Sequence, residues 1–169
     1  LLPPEQVRSR GIRPALAEAL AKAGRAREAA EVFAESVQET AGTERLQNQL
    51  RSAEEYLRSG RVEEGLGALA DVLAQLRMPL PTSSRGALAS LLVRRARLKI
   101  RGLGWKAEDP GSLAPLDAAR IDACWTVASG LGMIDPIRGA DFQTRNLLLS
   151  LKAGDGARIC RSLAMEAMY

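Results

Sequence analysis

An all-α fold is what this sequence predicts: an α-solenoid of about eight antiparallel helices, with no sheet. Three observations carry that expectation. Apolar residues recur at three- and four-residue steps from end to end. Leu and Ala dominate an apolar share of 46%, while aromatics make up only 4%. That mix suits close helix packing better than a sandwich or barrel. Finally, "AKAGRAREAAEVF" and "LRSGRVEEGLGAL" superimpose at a shift of 36 residues. Gly24 then matches Gly60, Arg25 matches Arg61, Glu28 matches Glu64 and Phe33 matches Leu69.

Each element follows in order. "IRPALAEALAKAG" puts Leu16 and Leu20 on one face, with Pro14 read as a first-turn residue and Gly24 as a C-cap. The next helix carries Ala29, Ala30, Phe33 and Val37 on a stripe. Thr43 reads as an N-cap ahead of Leu46, Leu50, Ala53 and Leu57, and Gly60 ends that helix. Val62, Leu66, Leu69 and Leu73 mark the fourth. "RMPLPTSS" breaks the pattern with two prolines, and a longer helix follows from about Arg85 to Arg101. Its "SLLVRRARLKI" is rich in branched residues but lacks a strand's alternation. The irregular stretch 102–114 comes next, then a helix from Pro115 to Leu131. Asp135-Pro136 is an N-cap and first-turn pair for a helix ending at Gly154, and Asp155 caps a last helix cut off at Tyr169.

We therefore read 1–169 as one helical-repeat domain. Residues 12–77 form two repeat-like hairpins, 82–131 a longer, irregular helix pair with the loop 102–114, and 135–169 a third, truncated hairpin. The chain starts without Met and stops inside a helical pattern, so a fragment of a longer protein is expected.

Helix pairs joined at a glycine every 34 or so residues resemble tetratricopeptide repeats. In the first copy Leu16, Ala17 and Leu20 take the large-small-large positions, and Ala29 and Phe33 the small and large ones. Arg13 departs where an aromatic is common. The second copy keeps Ala53, Tyr56, Gly60 and Leu69 but has Gly65 where Ala is usual. "LKAGDGARICRSL" is a weaker third copy, with Gly154, Ile159 and Leu163. From about Leu50 onward, "LRSGRVEEGLGALADVLAQLRMPLP", "LLVRRARLKIRGL" and "ARIDACWTVASGLGMIDPIRGADFQTRNLLLSLKAGD" resemble a helical region of large bacterial serine/threonine kinases. In those proteins a kinase domain and an AAA-type ATPase precede a tetratricopeptide-like tail. The resemblance implies that this chain is part of such a tail, and it brings no kinase or ATPase residues.

The chemistry agrees with that. There is no His, which excludes an H-R-D loop, the common general base and Ser-His-Asp or Cys-His sets. Neither G-x-G-x-x-G nor G-x-x-x-x-G-K-[ST] occurs, so no phosphate cradle is encoded; Gly102 and Gly104 supply half a fingerprint and read as a turn. Asp141-Phe142-Gln143 is one letter from Asp-Phe-Gly, but Gln143 cannot replace the glycine. It reads as helix interior, with Phe142 turned inward. Cys124 and Cys160 lie in helical patterns without metal-ligand neighbours, and read as buried reduced thiols in a cytoplasmic protein. No catalytic residue, metal or cofactor is expected.

The candidates that remain are contacts. Gln47, Asn48, Arg51 and Glu55 stand on one helix where the first helix of a tetratricopeptide hairpin would line a groove for an extended peptide. Arg138 and Arg145 are further partner candidates; Arg138 has Asp135 and Asp141 within reach. Arg94, Arg97 and Arg101 share a helix face as a basic patch. Trp125 reads as core beside Ile121, Ala128 and Leu131, whereas Trp105 folds back or anchors a partner. The net charge of +4, from 24 basic and 20 acidic residues, is too balanced to demand nucleic acid or membrane. The expected role is a non-catalytic scaffold for protein–protein or interdomain contacts. A small-molecule sensor, with 102–114 as a lid, and an anionic-surface binder through 94–101 are the alternatives.

Overall fold

The computed structural model describes residues 4–132 and 134–168; residues 1–3, Met133 and Tyr169 lie outside that description, as do the side chains of 4–11 and Pro110. The described residues form eight α-helices and no strand. Where the sequence suggests one domain over 1–169, the chain divides into two compact units, one ending at Arg77 and the other starting at Met78. The division falls at "RMPLPTSS", whose prolines withdraw backbone donors and stop a helix.

The first unit is α1 (Pro4–Lys22), α2 (Ala26–Glu39), α3 (Gly42–Arg58) and α4 (Val62–Gln75). Each packs on the next through short connections, the arrangement of antiparallel neighbours. The core is built from Ala17, Ala29, Ala30, Phe33, Leu50, Ala53, Leu57, Leu69 and Val72. The two glycine corners matched by the 36-residue shift have the same local geometry. Gly24 and Gly60 hold φ of 77° and 81°. Arg25 N–H donates to Leu20 O and Gly24 N–H to Ala21 O; Arg61 N–H donates to Tyr56 O and Gly60 N–H to Leu57 O. Both turns are Schellman motifs, which satisfy a helix's last carbonyls and need a glycine where φ is positive. Each is followed by the same ion pair, Arg25 to Glu28 and Arg61 to Glu64. Arg61 also reaches Glu31 at 3.1 Å, tying the second corner to the first hairpin.

Two local readings change. α1 begins at Pro4, so Pro14 lies inside it and not in its first turn. Thr43 is not a cap: α3 starts at Gly42 behind Ala41, with no side-chain cap. Gly65, the odd residue of the second repeat, is explained by packing. A Cβ there would sit 2.7 Å from Leu57 Cγ and 3.1 Å from Leu57 N. Gly65→Ala is therefore expected to destabilise by about 1–2 kcal/mol, read from urea midpoints, although Ala is the better helix former.

The second unit is α5 (Ser84–Arg101), a 3-10 turn at Pro110–Ser112, α6 (Pro115–Leu131), α7 (Pro136–Ala153) and α8 (Gly156–Glu166). Here α7 is the hub, with α5, α6 and α8 each lying against it. The two helices of 82–131, α5 and α6, both pack chiefly on α7. Leu98, Leu147, Leu151 and Ile159 form a core cluster. Phe142, Ile121 and Val127 are also buried. Polar bonds run through the same packing. Asn146 Nδ2 donates to Ile121 O at 2.7 Å, and Gln143 Nε2 to Ser162 O at 2.7 Å. The α7–α8 turn reverses the charge order of the repeat corners. Asp155 caps α8 by accepting from Arg158 N–H, and its carboxylate pairs with the Arg158 guanidinium. The stretch 102–114 is tied back at Gly102, Gly104 and Glu108. Arg101 donates to the carbonyls of Gly102, Gly104 and Leu151, and Glu108 N–H donates to Gly154 O at 3.2 Å.

Candidate functional site

α3 brings Gln47 and Arg51 to the surface but turns Asn48 and Glu55 inward. Asn48, Ser52 and Glu55 stand at steps of four and three, so they share a strip, and all three are buried. Asn48 Nδ2 donates to Thr40 Oγ1 at 3.3 Å, and Ser52 Oγ donates to Ala30 O at 3.0 Å. Glu55 accepts from Arg58 at 2.8 Å, while its Oε2 has no partner. Arg51 is held by Glu18 and Glu54. Of the four groove candidates, Asn48 and Glu55 are packing residues, and only Gln47 and Arg51 face outward.

Burial pushes the Glu55 carboxyl above its ordinary pKa, and the Arg58 guanidinium partly opposes this. A carboxyl whose folded pKa is raised favours folding in its protonated form. Its contribution is full below the unfolded pKa and is lost as pH rises through the folded value. Glu55→Gln should therefore gain stability relative to wild type as pH rises from about 4. Urea midpoints measured across that range check this.

On α7, Arg138 spends its guanidinium internally. It pairs with Asp135, and donates to Pro81 O at 2.8 Å and to Thr82 O at 3.2 Å. That clips the chain ahead of α5 to the start of α7. Arg145 is partly buried with its guanidinium 5.6 Å from the Phe142 ring centre, and burial lowers its pKa. Cys124, nearby, is fully buried, and its thiol is pushed up to about 12, chiefly by burial, which makes it a poor nucleophile. Cys160 is exposed, contrary to the reading of two buried thiols. Trp125 is half-buried, with the Arg161 guanidinium 4.4 Å from its ring centre. Trp105 folds back: a Cβ on Gly156 would lie 3.6 Å from its ring, yet 45% of it remains exposed.

The basic patch does not form one free face. Arg94 Nε donates to the buried Asp141 Oδ1 at 2.9 Å, and Ser90 Oγ donates to the same oxygen at 2.8 Å. Arg101 binds carbonyls, and Arg95 pairs with Glu166. Arg97 is exposed. The side of α5 away from Ala87 and Leu98 instead exposes apolar residues, with Leu92 60%, Val93 68% and Ile100 88% accessible. No Asp or Glu occurs between Asp71 and Glu108, while eight Lys and Arg do. The apolar character of that side was legible as branched residues, but its exposure was not.

Near the α1–α2 corner an open hollow of about 580 Å³ is lined by Arg25, Glu28, Glu31 and Arg58 among others. Its charged groups are engaged in ion pairs, as in Arg25–Glu28, Arg27–Glu31 and Arg58–Glu55. Among the described residues no three His, Cys, Asp or Glu are placed to hold a metal ion, and no helix is long and apolar enough to cross a membrane. Set against known proteins, the chain matches no family model, no curated protein and no solved structure.

Proposed function

We propose that the chain is a non-catalytic, tetratricopeptide-like scaffold that holds protein partners or neighbouring domains of its own parent chain. The observation that carries this is the repeated corner. Two hairpins end their first helix with the same glycine turn and start their second with the same Arg–Glu pair. Stacked hairpins of this kind create extended binding surfaces. The kinase and ATPase context comes from the sequence resemblance, and a cytoplasmic setting from the reading of Cys124 and Cys160 as reduced thiols. Immobilised chain should capture a cellular protein, or bind isolated kinase or ATPase domains of the parent in a titration. Failure to bind any of these removes the reading.

A further inference from the structure

The geometry points to the outward face of α5 as a docking stripe for an amphipathic helix flanked by acidic residues. This deepens the scaffold reading and rests on it. Ala89, Val93, Ala96 and Ile100 follow one another at steps of four, three and four. On a helix that spacing draws a straight seam, the one used where a second helix lies alongside. All four residues are exposed, with Val93 and Ile100 at 68% and 88%. Small and β-branched residues alternate along the seam. The alanines leave hollows that a partner's large side chains fill, while Val93 and Ile100 are stiff knobs. Ala87, Leu98 and the Arg94–Asp141 pair occupy the other side of the helix.

Charge selects the occupant. Arg97 and Lys99 flank the seam on opposite sides, at the positions where coiled-coil partners exchange ion pairs, and both are exposed. α5 carries no acidic residue, so two copies joined through this stripe would oppose cation with cation. A partner helix with Glu or Asp beside its apolar seam meets both demands. Leu88 and Leu92 are exposed beside the seam, so a lipid surface is the competing occupant that the vesicle arm of the test addresses.

The test uses the whole 169-residue chain and labelled three-heptad peptides. One peptide has Leu on its seam and Glu on its flanks; the other has Lys on its flanks. Fluorescence anisotropy should show the Glu peptide binding at least about tenfold tighter than the Lys peptide, and weakening in high salt. Val93→Glu should lose about tenfold or more with an unchanged melting temperature, because the residue is exposed. Reversing both flanks, Arg97→Glu with Lys99→Glu, should swap the preference to the Lys peptide. Equal binding of the two peptides overturns the proposal, as does binding of neither. Binding only to vesicles of phosphatidylserine and phosphatidylcholine overturns it in favour of lipid. A cellular partner held equally by wild type and Val93→Glu overturns this stripe while leaving the scaffold reading intact.

Discussion

Asp141→Ala should destabilise the chain by about 3–5 kcal/mol, seen as a lower urea midpoint. Asp141 is completely buried, and Arg94 is only 27% accessible along its side chain. Its Oδ1 takes hydrogen bonds from both Arg94 and Ser90, which come from α5, whereas Asp141 stands on α7. The carboxylate is therefore the electrostatic joint of that helix pair. Truncating it leaves a largely desolvated guanidinium without a counter-charge, and the cost of that stranded charge exceeds the value of the pair. The same logic predicts a rescue. Arg94→Met combined with Asp141→Leu should recover most of the loss, because neither side then has a charge to desolvate. A double variant as unstable as Asp141→Ala alone would place the cost in packing and not in charge.

Gly154→Ala should cost about 2–4 kcal/mol. Gly154 ends α7 with φ at 71°, a conformation that strains any residue with a Cβ. It is also crowded. An added Cβ would lie 2.6 Å from Lys106 O and 2.7 Å from Glu108 Cγ. The backbone of 106–108 cannot easily retreat, because Glu108 N–H is bonded to Gly154 O. Gly24 is the internal control. Its φ is 77°, but nothing lies within 4 Å of its missing Cβ, so Gly24→Ala should show only the conformational cost, about 1 kcal/mol. Thermal melts of the two variants compare them directly. Limited proteolysis should cut the 102–114 stretch faster in Gly154→Ala alone.

These two sites differ in how far they could be read beforehand. A glycine between helical patterns announces itself as a helix end, and Gly24, Gly60 and Gly154 are all found there. The crowding at Gly154 was invisible, because Lys106 and Glu108 are brought to it by the fold. Spacing offered Asp141 only Arg138 as a partner, whereas Arg138 pairs with Asp135 and Asp141 with Arg94. The other partner of Asp141, Ser90, is 51 positions away in the chain, beyond any periodicity argument. The same gap explains Asn48 and Glu55. Helical spacing placed them on a strip beside that of Gln47 and Arg51 but could not say which strip would be buried.

What the sequence by itself determined are the features that depend on residues within about five positions. They include the all-helical content, the glycine corners, and the Asp135 and Asp155 caps, each of which is a local hydrogen-bond or φ requirement. Only the tertiary structure decided that α7 is the hub of its unit, that Arg94 pairs with the buried Asp141 and Arg101 with backbone carbonyls, and that Ala89, Val93, Ala96 and Ile100 are left uncovered. The physical reason is that burial belongs to pairs of surfaces. An apolar or charged side chain has the same local conformation whether a distant helix covers it or water does.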